Sequence, residues 1–132
     1  MVQAVDGKPL AAMLIHASAS LDAEKQKINE LNVFPVPDGD TGTNMSLTIG
    51  TAAAELRQKN PATVGQATAL CASAMLRGAR GNSGVILSLI FRGFSRAMKD
   101  KDTMDGIDLA DAINAGVIAA YRAVMKPAEG TL

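Results

Sequence analysis

A chain of 132 residues is one domain or a piece of one, long enough to bury a core. Its 13 Lys+Arg balance 13 Asp+Glu and its aromatics stand at 3%, which argues against a nucleic-acid partner: no net field attracts phosphates and little surface offers stacking. The single cysteine, Cys71, excludes an intrachain disulfide framework and fits a reducing compartment. With no opening signal peptide and no apolar run of membrane-spanning length, the expectation is a soluble, cytoplasmic protein without membrane insertion.

The apolar fraction is carried by Ala, Leu, Ile, Val and Met, and closely packed helices are the natural outcome. After a lead-in with a turn at Asp6-Gly7, the spacing of Leu10, Met13, Leu14, Ala17 and Leu21 predicts a first helix, with Pro9 in its first turn. Asp22 is placed to cap a second, short helix running to Leu31. Beyond Gly42, the positions of Met45, Ile49, Ala52, Ala53 and Leu56 predict a third helix ending near Lys59-Asn60-Pro61. Thr63-Val64-Gly65-Gln66 has the form of a capping box and opens a fourth, through Leu70, Ala74 and Met75. Val85 to Met98 reads as a fifth helix on length, although Val85, Ile86 and Ile90 leave a short strand open at its start. Asp108 is expected to cap a sixth, closed at Lys126-Pro127. The fold class is therefore all-α, an antiparallel bundle of six helices without paired strands.

Two interruptions carry the chemistry. In Asn32-Val33-Phe34-Pro35-Val36-Pro37-Asp38-Gly39-Asp40-Thr41-Gly42-Thr43-Asn44-Met45, the prolines hold the approach to Asp38 extended. Asp38 and Asp40 follow, one glycine apart, just before a helix start. Two carboxylates on a stiff loop suit a divalent cation, and the free N–H groups of the helix start suit phosphate oxygens. The plain alternative is a turn in which Asp40, Thr41 or Thr43 caps the helix. An EF-hand beginning at Asp38 fails because its twelfth position is Ile49. A haloacid-dehalogenase type D-x-D fails because a proline-broken segment precedes it, and no P-loop Gly-Lys-Ser/Thr run exists.

The second interruption is Arg77-Gly78-Ala79-Arg80-Gly81-Asn82-Ser83-Gly84. Its glycines let backbone N–H groups approach an anion, and Asn82 and Ser83 supply donors. The plain alternative is a helix–helix turn with a C-cap at Gly78 and exposed arginines. In an antiparallel bundle alternate connections lie at one end, so the two glycine loops are expected to face each other across one mouth. His16 is read as structural or exposed, and Cys71 as a packed small residue.

Asn32 to Met45 resembles the signature of the fatty acid kinase ATP-binding domain, in the superfamily of the dihydroxyacetone kinase nucleotide-binding (L) domain. Arg77 to Ser88 is similar to that family's second motif, and Ala123-Val124-Met125-Lys126-Pro127-Ala128-Glu129-Gly130-Thr131 to its third. The resemblance covers essentially the whole chain. It implies a barrel-like bundle of eight antiparallel helices, about six of them present here, with ATP or ADP and two Mg2+ ions at one end. By that likeness Asp38 and Asp40 are magnesium ligands, and Asn32 stands where dihydroxyacetone kinases have a third aspartate. Thr43, Asn44 and Ser83 would contact phosphates, with Thr41 and Met45 beside them in the same motif. Gly81, Asn82 and Gly84 would shape the pocket, and Gly130 and Thr131 would lie near the nucleoside. Arg80 and Lys126 are the candidates for neutralising the transferred phosphate.

The implied reaction phosphorylates a fatty acid, carried by a separate fatty-acid-binding protein, to an acyl phosphate. A carboxylate is already a nucleophile at neutral pH, so positioning and charge neutralisation suffice and no general base is needed. The alternatives are a dihydroxyacetone-kinase-type (glycerone kinase) subunit and a non-catalytic domain binding nucleotide or a partner. The D-G-D-T-G-T-N wording, in place of D-x-D-H-G, argues against the first. The family's pattern continues beyond Leu132. Residues 1–132 are therefore expected to form a nucleotide-binding domain incomplete at its C-terminal end, inactive alone, with an exposed apolar stripe that favours a homo-dimer.

Overall fold

The computed structural model describes residues 4–31 and 40–130, with side chains of the last helix as far as Val124. The described residues form five helices: α1 Gly7–Leu31, α2 Thr41–Lys59, α3 Val64–Gly78, α4 Gly81–Met98 and α5 Gly106–Gly130. Each packs on its sequence neighbours, with α2 against α4 and α1 against α3 across the bundle. Among the helices, α5 packs on α4 alone.

The expected first and second helices are one. No proline or glycine interrupts Leu10 to Leu31, so nothing breaks the hydrogen-bond ladder there. Asp22 does not cap; it lies in the middle of α1, where its carboxylate takes hydrogen bonds from Lys25 Nζ at 2.9 Å and Ser46 Oγ at 3.0 Å. The start of α1 is pinned instead by Gly7, whose N–H donates to Ala62 O at 3.1 Å. A Cβ on Gly7 would meet the backbone of Pro61 and Thr63, so α1 can begin there only on glycine.

Thr63 does cap α3, its hydroxyl accepting from Gln66 N–H at 3.1 Å, while Gln66 Oε1 reaches back to Ala62 N–H. At α5 the capping residue is Asp105 rather than Asp108. Asp105 Oδ1 accepts from Asp108 N–H at 2.8 Å and Asp108 Oδ2 from Asp105 N–H at 3.1 Å, a reciprocal box one turn earlier than expected. The helix also runs past the expected close at Lys126-Pro127, to Gly130. The open choice at Val85 resolves as helix. Gly93 does not break α4; it lies against Ala115, Gly116 and Ala119, and Gly116 against Ile90, so α4 and α5 cross in close contact.

Two apolar clusters form the core. One gathers Leu10, Leu56, Val64, Ala67, Met98, Met104 and Ala112 at the end where α3 and α5 begin. The other, Ile49, Ala52, Cys71, Ala74 and Met75, fills the space between α2, α3 and α4. Of the expected α1 stripe, Leu10 is buried and Leu14 and Leu21 pack partly buried against the core, joined by Ala11, Ile15 and Ser18, whereas Met13 and Ala17 face outward. Val5 and Met104 exchange both backbone hydrogen bonds at 2.8 Å, an isolated antiparallel bridge that the sequence pattern did not announce. On α5 the small residues Ala112, Gly116 and Ala120 are buried, while Ile113, Val117, Tyr121 and Val124 stay exposed.

Candidate functional site

The starts of α2 and α4 meet at one end of the bundle. The link between them is Thr48, fully buried, whose hydroxyl donates to Asn44 O at 2.7 Å and accepts Arg80 N–H at 3.0 Å. Two glycines make the approach possible. Gly81 sits at φ +66°, and a Cβ there would run into the Asn44 side chain; a Cβ on Gly84 would run into Thr48 Oγ1. Ser83 Oγ lies 3.5 Å from Thr41 O, at the long limit of a hydrogen bond. Gly78 is not the C-cap: it is the last residue of α3, seated against Thr51, and Ala79 follows in extended conformation.

What these helix starts leave open is as informative as what they join. Neither Asp40 before α2 nor Arg80 before α4 makes a side-chain capping bond. No local cap is therefore spent on the first-turn N–H groups, which lie at the positive end of each helix dipole. The Asp40 carboxylate is exposed and not spent as a cap, which removes the plain alternative for that residue. The arginines divide likewise: Arg77 is committed to Glu55 at 2.7 Å and to Ser73 at 2.6 Å. Arg80 is exposed and in no ion pair among the described residues.

Thus Asp40, Thr41, Thr43, Asn44, Arg80, Gly81, Asn82, Ser83 and Gly84 come to one mouth, with Met45 half-buried behind Asn44. Asp38, Asn32 and Thr131 lie outside the described residues, and Gly130 is the last residue of α5. Among the described residues no three His, Cys, Asp or Glu side chains gather to hold a metal ion. Asp40 by itself is one hard oxygen donor of the kind magnesium takes.

Sequence reasoning missed Asn29, in the last turn of α1. Its Nδ2 donates to Thr43 Oγ1 at 2.8 Å and its Oδ1 accepts Thr43 N–H at 3.0 Å. It also missed Thr48 as the link. Neither carries a local signal, because the partners are 14 and 32 residues away. Asp22, joined to Ser46, is held below the usual carboxylate range by hydrogen bonds from Lys25 and then Ser46. His16 is exposed, and Cys71 is buried with its thiol pushed up to about 12 by desolvation, as a packed residue should be. Cavities of about 620 and 640 Å³ lie away from the mouth, one beside the Lys99–Asp102 link and one between the outer faces of α4 and α5.

Fold and site together define an all-α domain with two helix starts, neither capped by its own N-cap side chain, held side by side at one end. Residues 35–132 match the Dak2 family (DAK2 domain), and the chain belongs to that family of kinase-associated helical domains. It is 44% identical over 131 residues to Protein YloV of Bacillus subtilis, covering 99% of this chain and 24% of that protein. Uncharacterized proteins of Staphylococcus saprophyticus and Staphylococcus haemolyticus are each 43% identical over 132 residues, again with 24% of the relative covered. The chain thus spans about a quarter of the length of these relatives. No helix among the described residues is long and apolar enough to cross a membrane.

Proposed function

We propose that this chain is a nucleotide-binding domain of the dihydroxyacetone kinase L type, which takes the phosphates of ATP or ADP between the starts of α2 and α4. The observation that carries the reading is the pair of helix starts, without caps from Asp40 or Arg80, brought into contact through Thr48, Gly81 and Gly84. Two N-terminal dipoles favour one polyphosphate, each by roughly 0.3–1 kcal/mol, and the N–H groups add directed hydrogen bonds. Thr43, Asn44 and Ser83 supply side-chain donors, and Arg80, in no ion pair among the described residues, a cation. Asp40, with Asp38 and Asn32, would hold magnesium, whose charge would help neutralise the phosphates.

The finer reading is a phosphotransferase that converts a fatty acid, delivered by a separate binding protein, into an acyl phosphate. It draws on the wording of the motifs alone. Nucleotide binding, catalytic or not, draws also on the site geometry and on the Dak2 membership, and so has the broader support.

Calorimetric titration of ADP, with and without magnesium, into the chain and into Asp38→Ala/Asp40→Ala tests the core of this. Magnesium-dependent binding that the double variant loses is the expected result; a folded chain that binds neither ADP nor ATP overturns it. The acceptor is tested on the whole protein, by comparing acyl phosphate formed from a protein-carried fatty acid with phosphorylation of dihydroxyacetone.

A further inference from the structure

The Asn29–Thr43 clasp has a direction. The backbone N–H of Thr43 can only donate, so the atom of Asn29 facing it at 3.0 Å must be the amide oxygen. The NH2 group therefore faces Thr43 Oγ1, 2.8 Å away, and spends its hydrogen on that oxygen. With a lone pair of the hydroxyl so occupied, the proton of Thr43 must be directed away from Asn29. At the same time Asn29 caps the third N–H of α2, which Asp40 leaves uncapped, from a different helix. Both bonds are only partly buried, at the edge of the mouth.

We infer that Asn29 is a positioning residue for the phosphate site: by donating to Thr43 Oγ1 it fixes that hydroxyl as a hydrogen-bond donor towards the bound nucleotide. An anion needs donors, and a threonine free to rotate offers its lone pairs as readily as its proton. The clasp removes that choice before the ligand arrives. This rests on the nucleotide-binding reading given above.

The test is a double-mutant cycle on Mg-ADP affinity, with AMP as the comparison ligand. Asn29→Ala and Thr43→Val should each weaken ADP on the order of tenfold, as loss of one hydrogen bond to a charged acceptor does. The double variant should be no weaker than the worse single one, because both act through one hydroxyl. Thr43→Ser should bind as the wild type. Asn29→Asp keeps the acceptor for Thr43 N–H, and with it the cap, but turns the hydroxyl inward. It should weaken ADP without lowering the melting temperature, and lose that effect in a Thr43→Val background, where a penalty from added charge alone would persist.

Additive losses, or an equal loss on AMP, would mark Asn29 as merely structural and overturn the inference. Wild-type Mg-ADP binding abolished by Asp38→Ala/Asp40→Ala but indifferent to Asn29 overturns this inference alone. A wild type that binds no nucleotide overturns it together with the reading beneath it.

Discussion

The two ends of the bundle treat their helix starts in opposite ways. Where α3 and α5 begin, every device closes the backbone on itself. Thr63 and Gln66 form one capping box and Asp105 and Asp108 another, Val64 N–H donates to Asp102 O, and Gly65 N–H donates to Lys101 O at 2.9 Å. Val5 and Met104 add a bridge, and the cluster around Leu56, Val64 and Met98 lies beneath. Where α2 and α4 begin, no local side chain caps either helix, and glycines replace bulk at the contact. One end satisfies its helix starts with local caps. The other leaves them without local caps, and it is this end that the proposed nucleotide site uses.

Substitutions should separate the two ends. The largest effect is expected from Leu56→Ala, which empties a site 1% exposed at the closed end. It should cost about 2–5 kcal/mol in denaturant unfolding, while ADP affinity measured on the folded fraction stays unchanged. If affinity falls with stability, the ends are not independent.

Gly81→Ala is the converse. A side chain at φ +66° costs about 1–2 kcal/mol, and its Cβ displaces Asn44, so nucleotide binding should fall far more than the melting temperature. Equal affinity in this variant would show that the contact between the helix starts does not shape the site.

The smallest effect concerns Asp108, whose carboxyl is held below its usual value by the Asp105 N–H and then by Lys101. The unfolded state therefore binds its proton at a higher pH than the folded state does. The contribution is present above pH 3.8 and is lost as the pH falls through the folded value. Asp108→Asn should flatten the acid limb of a melting-temperature profile slightly and leave ADP binding at neutral pH untouched.

Composition and periodicity determined the all-α class, the inward stripe of α2 at Ile49, Ala52, Ala53 and Leu56 and the Thr63 cap, whereas the expected break over residues 77–84 shrinks to Ala79-Arg80, because α3 runs through Gly78 and α4 begins at Gly81. Those properties depend on residues within one or two turns of each other, and such residues write a local signal. The number of helices was misread at Asp22, because an aspartate that caps and one that bonds across to Ser46 look alike in sequence. The start of α5 was placed one turn late for a similar reason, since Asp105 and Asp108 are both capping types. Alternate loops at one end could be argued from bundle topology. Which atoms meet there could not, for Thr48 reaches Arg80 and Asn29 reaches Thr43 only once α1, α2 and α4 have packed. The sequence alone decided which helix starts carry glycine and donors. Only the tertiary structure decided that the starts of α2 and α4 touch, and that α2, without a cap from Asp40, takes one from Asn29 of a neighbouring helix, because hydrogen bonds between distant segments exist only after the core has brought them within reach.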